Sequence, residues 1–398
     1  MDNFHTDTLR KAGIAQAIVL ICATVLPIMG VVSLAPVLPS LLEHFKMVEH
    51  SEFLVPAALT VPGLMIALFS TTAGLLADRY GRKKLLLGAL LLYAVFGMLP
   101  LLFDSLHAIV ASRAALGVAE AFIMTIATTL AGDYFSPEQR KKIIAIQAAV
   151  GSLAASVLFG AGGALGGISW KGPFWLYGLS LLVLIAVFVF IWEPRTETQQ
   201  TEMEKNQSSV FPWKSLGVVC LVTLFSAVIF YIAPIHLGVV MNSVGVVEPP
   251  KIGAAIGLGS LGVPLGAFLY HRISHLSNGY LMGASLLLCG IGLAGMPYAD
   301  TYGEVVGLFF VNQLGSGMLL PILINWCLSV LPFSLRGRGV GIWNSTFFIG
   351  QFISPLLLAL IGNQIGGLVS GMMLLGMFSI LVAGVCALIF HKRVPTLH

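Results

Sequence analysis

The stretch Gly74-Leu75-Leu76-Ala77-Asp78-Arg79-Tyr80-Gly81-Arg82-Lys83-Lys84-Leu85-Leu86 decides the fold. An apolar run enters it and another leaves it, and between them one acid and four bases crowd into a turn around Gly81. Charged residues make up 10% of the chain and hydrophobic ones 57%, outside the range of soluble domains, which need far more charge to cover a surface. A charged turn between two apolar runs in such a chain is a loop at a membrane face joining two spans.

Twelve apolar runs flank or follow this pattern, near 13–41, 53–77, 85–103, 106–132, 142–168, 173–192, 214–241, 252–271, 279–298, 304–331, 339–362 and 367–390. About 20 apolar residues cross roughly 30 Å of hydrocarbon, and lipid offers the backbone no partners, so each run is expected to be a helix. Met1 to Lys11 is polar and the first run is too long for the core of a signal peptide, so that run is expected to be a span. The bases then set the orientation. With a cytoplasmic amino terminus, the cytoplasmic segments collect Arg10, Lys11, Arg79, Arg82, Lys83, Lys84, Arg140, Lys141, Lys142, Arg195, Lys205, Lys214, Arg272, Arg336, Arg338, Lys392 and Arg393. The outer loops keep Lys46, Lys171 and Lys251. Both termini are therefore expected inside, and the short loops suggest a bacterial inner membrane. The net charge of +4 is spread over loops, which argues against a nucleic-acid partner. Cys22, Cys220, Cys289, Cys327 and Cys386 all lie in apolar runs and are expected to be buried thiols.

A polar segment, residues 194–212, separates six runs from six and reads as a cytoplasmic linker between halves 1–193 and 213–398. Its Asn206-Gln207-Ser208 triplet has no meaning as a glycosylation acceptor on that side. The halves look like repeats: Arg140 follows Pro137-Glu138-Gln139, and Arg336 follows Pro332-Phe333-Ser334-Leu335 at an offset of 196 residues (140 to 336). The opening turn has a fainter echo at Gly266-Ala267-Phe268-Leu269-Tyr270-His271-Arg272, with Tyr270 where Asp78 would stand. The expected architecture is an all-α membrane protein of two pseudo-symmetric six-helix bundles, with a substrate site at the repeat interface.

Ionisable residues inside a membrane are costly and mark function. Arg113, Glu120 and His236 stand clearly within spans. Arg113 and Glu120 are seven residues apart, two helical turns, so they share a face with Gly117, which leaves room for a neighbouring helix or for the arginine. Burial favours the neutral acid at Glu120 and a nearby cation favours the carboxylate, and the balance would suit a proton carrier. The plainer alternative is a permanent Glu–Arg pair tying helices together. In the second half Tyr231, Asn312, Gln313, Trp343 and Asn344 are polar enough to contact a substrate, with Asn312 near the register of Arg113. Interhelical hydrogen bonding is the bland alternative for each of them.

The opening stretch resembles the G-x-L-a-D-r-x-G-r-k-x-x-l signature of the major facilitator superfamily, and the resemblance extends over the whole chain. It implies that Gly74, Asp78, Arg79, Gly81, Arg82 and Lys83 form a gate motif, with Asp78 facing the amino end of the eleventh helix in one conformation. Arg113 to Gly117 is similar to the R-x-x-x-G segment of superfamily antiporters, whose arginine is implicated in proton coupling. Gly117 to Ala121 looks like the same helix in spinster-type lipid transporters. Ala35-Pro36-Val37-Leu38-Pro39 resembles the P-x-L-P ending of drug-antiporter-like members. The fifth span, Gly151 to Gly163, is glycine-rich but lacks the proline those antiporters carry there.

The resemblance implies a monomeric, proton-coupled exporter of a small organic compound resembling the twelve-span drug:proton antiporters. Glu120, Arg113 and His236 are its candidate coupling residues. A symporter or facilitator for a sugar, organic acid or lysolipid is the alternative, and a sensor without turnover is disfavoured by the short loops. No H-E-x-x-H, G-x-S-x-G or nucleotide-binding loop is present, so neither catalysis nor a cofactor is expected; His271 and His275 lack an acid partner for a metal.

Overall fold

The computed structural model describes residues 12–194, 211–332 and 335–389. Residues 195–210 of the expected linker (with Asn206), residues 333–334, and Arg10, Lys11, Lys392 and Arg393 lie outside them. Twelve helices among the described residues are long and apolar enough to cross a membrane. We number them α1 (Ile14–His44), α2 (Ser51–Tyr80), α3 (Arg82–Leu101), α4 (Leu106–Tyr134), α5 (Glu138–Gly166) and α6 (Gly172–Phe190) in the first half. The second half holds α7 (Trp213–Ser243), α8 (Pro249–Ile273), α9 (Asn278–Tyr298), α10 (Tyr302–Val330), α11 (Arg336–Ile365) and α12 (Leu368–Leu388). Every expected apolar run is one of these helices. Their ends follow from local chemistry: Ser105, Ser277 and Thr301 accept from the first turns of α4, α9 and α10, and Ser136 forms a capping box with Gln139 ahead of α5. Gly81 turns α2 into α3 at φ +95°, a conformation open to glycine.

Small residues let the helices approach closely. A Cβ on Gly117 would sit 2.5 Å from the Pro62 backbone, so of the two expected occupants it is a neighbouring helix, α2, that takes the room. The same pairing recurs in the second half, where Gly266 of α8 lies against the Leu314 carbonyl of α10. The two halves meet along α2–α11 and α5–α8, a pair of seams exchanged by a shift of six helices, and along α1–α7. Cys289, Cys327 and Cys386 are buried as expected, but Cys22 is exposed on α1. A thiol packs against lipid as readily as against protein, so the apolar run did not distinguish the two.

The faces differ. One carries the Asp78 turn and Arg140, Lys142, Arg272, Arg336 and Arg338; the other carries Lys46, Lys171 and Lys251. On the base-poor face the halves touch backbone to backbone: a Cβ on Gly163 would meet the Pro249 carbonyl at 2.5 Å and Gly253 Cα at 2.7 Å. On α7, Gly238 packs on Pro39 of α1. At mid-depth, Thr60 donates to the Phe352 carbonyl and Ser345 to the Ala67 carbonyl, joining α2 to α11. Toward the base-rich face this contact lapses. Ala145, Ala148 and Ala149, which continue the side of α5 that carries Ser156, Phe159 and Gly163, are exposed, as are Thr71 of α2 and Arg338 and Gly341 of α11. The molecule is closed on the base-poor side and open on the base-rich side.

Candidate functional site

Arg113 and Glu120 lie inside the first bundle, and both are fully buried. Glu120 is fifteenth of the 29 residues of α4, at mid-depth, and it points neither into lipid nor into solvent in this conformation. Both side chains converge on Gly30 of α1, where a Cβ would lie 3.0 Å from Glu120 Oε1 and 3.5 Å from Arg113 Nη2. The alternative of a permanent ion pair is not what forms. Arg113 donates from Nη2 to the Gly30 carbonyl (2.7 Å) and from Nε to the Ala58 carbonyl of α2 (3.3 Å), and neither oxygen of Glu120 has a hydrogen-bond partner.

The reason lies in α1. Pro27 and Pro36 break it into α-helical pieces joined by 3-10 turns at Leu26–Ile28 and Ala35–Val37. The Leu34 N–H bonds the Val31 carbonyl, so Gly30 O is left without its usual donor four residues on. Arg113 supplies that donor. Two fully buried tyrosines, which sequence reasoning passed over, attend the same broken stretch. The Tyr93 hydroxyl of α3 donates to Leu26 O (2.6 Å). The Tyr177 hydroxyl, at the start of α6, lies 3.2 Å from Met29 O and 3.1 Å from Ser33 Oγ, and its ring faces the Arg113 guanidinium at 4.8 Å. Tyrosines within spans opposite a proline-broken helix were the available signal.

The charged turn is a second cluster, at the base-rich end of the same half. Asp78 pairs with Arg82 at 3.0 Å, and Arg82 also pairs with Asp133 at the end of α4. Glu193, just after α6, accepts from the Arg82 and Lys83 N–H groups at 2.6 and 2.9 Å and so caps α3. The Lys83 ammonium donates to the Phe188 carbonyl, Arg79 lies over the Tyr80 ring, and Gly74 packs near Thr125. In this open form Asp78 is 65% exposed with Arg82 as its partner, and the amino end of α11 has no side-chain cap. Asp133 and Glu193 were missed because each is a lone acid at a span end, indistinguishable there from a solvated charge. At the echo in the second half the contact is neutral, Asn325 donating to the Tyr270 hydroxyl at 2.7 Å.

The second-half residues separate into two groups. Asn312 and Gln313 are turned into the second bundle. Asn312 donates to the Cys289 carbonyl of α9 (2.8 Å), the interhelical bonding weighed as the alternative, and Gln313 donates to Asn312 Oδ1 within α10 (3.0 Å). Tyr231, Trp343 and Asn344 are brought together where α7 meets α11. Tyr231 packs on Phe230 and Phe347, Trp343 stacks on Phe347 and donates to Thr223 Oγ1 (2.9 Å), and Asn344 is half-buried. Tyr231 is two turns from Gly238, which touches α1, and Asn344 is two turns from Gln351, which touches Gly63 of α2. Both therefore lie on faces turned toward the first half, on the side where the halves part. His236 is buried one turn beyond Ile232, its Nδ1 at 3.1 Å from that carbonyl and its Nε2 without a partner; it joins neither group.

A model of the Major Facilitator Superfamily matches residues 20–355 and 219–398. The quinolone resistance protein NorA of Staphylococcus aureus (strain MSSA476) is 25% identical over 347 residues, covering 83% of this chain and 85% of that one. An uncharacterized MFS-type transporter, YceJ of Bacillus subtilis, is 25% identical over 80% of this chain and 82% of its own. Among solved structures, a bacterial homolog of the human lysosomal transporter Spinster, inward-facing and occupied, aligns with a TM-score of 0.73 at 15% identity over 94% of each chain. The nucleoside transporter NupG aligns at 0.73 and 11% identity over 94% of this chain and all of that one. With twelve apolar helices in two bundles and a family match running nearly end to end, the chain is a multi-pass membrane transporter of the major facilitator superfamily.

Proposed function

We propose that the protein exports a small organic compound in exchange for protons by alternating access. Glu120 carries the proton and Arg113 sets its charge balance. One observation carries this assignment: a fully buried carboxyl at mid-depth whose two oxygens have no partner, beside an arginine committed to the backbone of α1 and α2. An ionised carboxylate left unpaired in such a place is costly, so the site favours a proton that comes and goes with solvent access over a permanent charge. Direction draws on likeness: relatives at 25% identity are quinolone resistance proteins.

The base-rich face is assigned to the cytoplasm of a bacterial inner membrane, both termini with it, which makes the open form inward-facing. Residues 194–212 link the bundles 1–193 and 213–398. Tyr231, Trp343 and Asn344 contact substrate, Asn312, supported by Gln313, ties α10 to α9 behind them, and His236 is a second titratable group. The Asp78 turn latches the base-rich side when it closes, Asp78 then docking on the amino end of α11.

The test is proton movement in proteoliposomes carrying a pH-sensitive dye, with norfloxacin as the first probe and a panel of planar organic compounds after it. A compound gradient is expected to drive protons in the opposite direction. Glu120→Gln is expected to lose at least tenfold of that proton signal while keeping compound-for-compound counterflow. Intact proton flux in that variant would sink the coupling role, and protons moving with the compound would make the protein a symporter.

A further inference from the structure

We infer that Tyr177 is a positioning residue for proton coupling: the face of its ring holds the Arg113 guanidinium away from Glu120. The inference rests on the proton-carrier role proposed for Glu120. Arg113 and Glu120 approach the same glycine, so a modest swing of the arginine would bring guanidinium and carboxylate into direct contact. Nothing in α4 itself prevents this, because the two residues share a face at a spacing of two turns. What opposes it is a set of three contacts: the Gly30 carbonyl, the Ala58 carbonyl, and the Tyr177 ring at 4.8 Å.

The two carbonyls fix Nη2 and Nε, and Nη1 has no hydrogen-bond partner. The ring therefore supplies the stabilisation that the third nitrogen lacks, since a desolvated guanidinium over an aromatic face is attracted to it. The ring is itself fixed. Its hydroxyl is engaged with Met29 O and Ser33 Oγ of the broken helix, and its edge fills the space over Gly97 of α3, where a Cβ would come within 2.4 Å of it. Tyr177 is thus anchored to α1 and α3 and touches the cation of α4. The groups that face Glu120 are Arg113 from its own helix, Tyr93 from α3 and Tyr177 from α6; α1 and α2 present Gly30 and the Ala58 carbonyl, neither of which titrates.

Removing the ring should let Arg113 settle against Glu120 and stabilise the carboxylate, so the proton would bind only at lower pH. The experiment is pH-titrated infrared difference spectroscopy of the full-length protein in liposomes, following the protonated-carboxyl band that Glu120→Gln removes. No substrate is needed. In Tyr177→Leu the midpoint of that band is expected to move to the acid side by about one pH unit or more, and in Tyr177→Phe to stay within about 0.3 unit of wild type. Tyr177→Met, which fills the slot over Gly97 without a π face, is expected to follow Tyr177→Leu and guards against a variant that fails to fold. Coincident midpoints in wild type, Tyr177→Leu and Tyr177→Met would overturn the role, as would a shift in Tyr177→Phe equal to that in Tyr177→Leu. A wild-type spectrum with no band assignable to Glu120 would overturn the carrier reading itself, and the role of Tyr177 with it. A purely structural residue would lower the melting temperature without moving the midpoint.

Discussion

Gly30 has little room for a side chain, and that single fact joins the two buried charges to the first helix. A methyl group there would crowd Glu120 Oε1 at 3.0 Å and lie in contact with Arg113 Nη2 at 3.5 Å. Gly30→Ala is therefore expected to cost about 1–3 kcal/mol, the usual range for overpacking, and to reduce proton-coupled flux at least fivefold. Thermal melting in detergent and the dye assay check the two effects separately. Arg113 and Glu120 were legible because charge inside a span is rare enough to stand out by itself. Tyr93 and Tyr177 were not, because a tyrosine in a span is ordinary until the partner of its hydroxyl is known. Gly117 was legible as a close-packing residue, but a sequence does not say which of two neighbours takes the space, and it was α2 rather than the arginine. Asn312 lies about one turn past the register of Arg113, which Phe309 holds, and shares its habit, each donating to a backbone carbonyl on a neighbouring helix, although its amide is occupied by α9 and turned away from the space between the halves.

Among the helices, the seam of α5 with α8 decides which side is closed. Gly253 meets the Phe159 carbonyl at 2.6 Å and Gly163 Cα at 2.8 Å as soon as a Cβ is added, and both contacts are backbone, which cannot swing aside. Gly253→Val is expected to hold the base-poor side apart, raising the reactivity of a cysteine placed at Ser156 toward an impermeant maleimide added from that side. Unchanged reactivity would mean that the seam yields. The missing proline of α5 does not loosen this seam, because the glycines on either side of it make the approach. Just ahead of α8, a hydrogen bond from Lys251 holds the Glu248 carboxyl below the ordinary range. Its contribution to stability is present at neutral pH and is lost as pH falls through the acid range, so melting curves of wild type and Glu248→Gln should converge on acidification. The difference at neutral pH will be small, since the pair is exposed and screened by solvent. The spans themselves were legible from hydropathy alone. The breaks in α1 were implied by Pro27 and Pro36, but the donors that repair them come from α3, α4 and α6, and no local pattern names those.

For the molecule as a whole, the opening on the base-rich side predicts where reagents enter. Ala149→Cys on α5, two turns from Ser156 on the side that meets α8, is expected to react with an impermeant maleimide from the cytoplasmic side of oriented vesicles and to be shielded when the transporter is driven outward-facing. Labelling from the opposite side alone would reverse the assigned orientation. The two-bundle plan was readable from the repeat offset and the polar midpoint. Which side stands open was not, because both states use the same sequence and differ in which seam is shut. The division of buried charge between the bundles has an electrical consequence. Arg113 and Glu120 both ride in the first half, and their registers in the second, at the 196-residue offset, are held by the neutral Phe309 and Ser316. With a proton on Glu120 the first half carries the uncancelled charge of the arginine, and without it the two offset each other. The membrane voltage then pulls on the loaded carrier and leaves the empty one alone, so a polarised cell would bias one half of the cycle through one bundle.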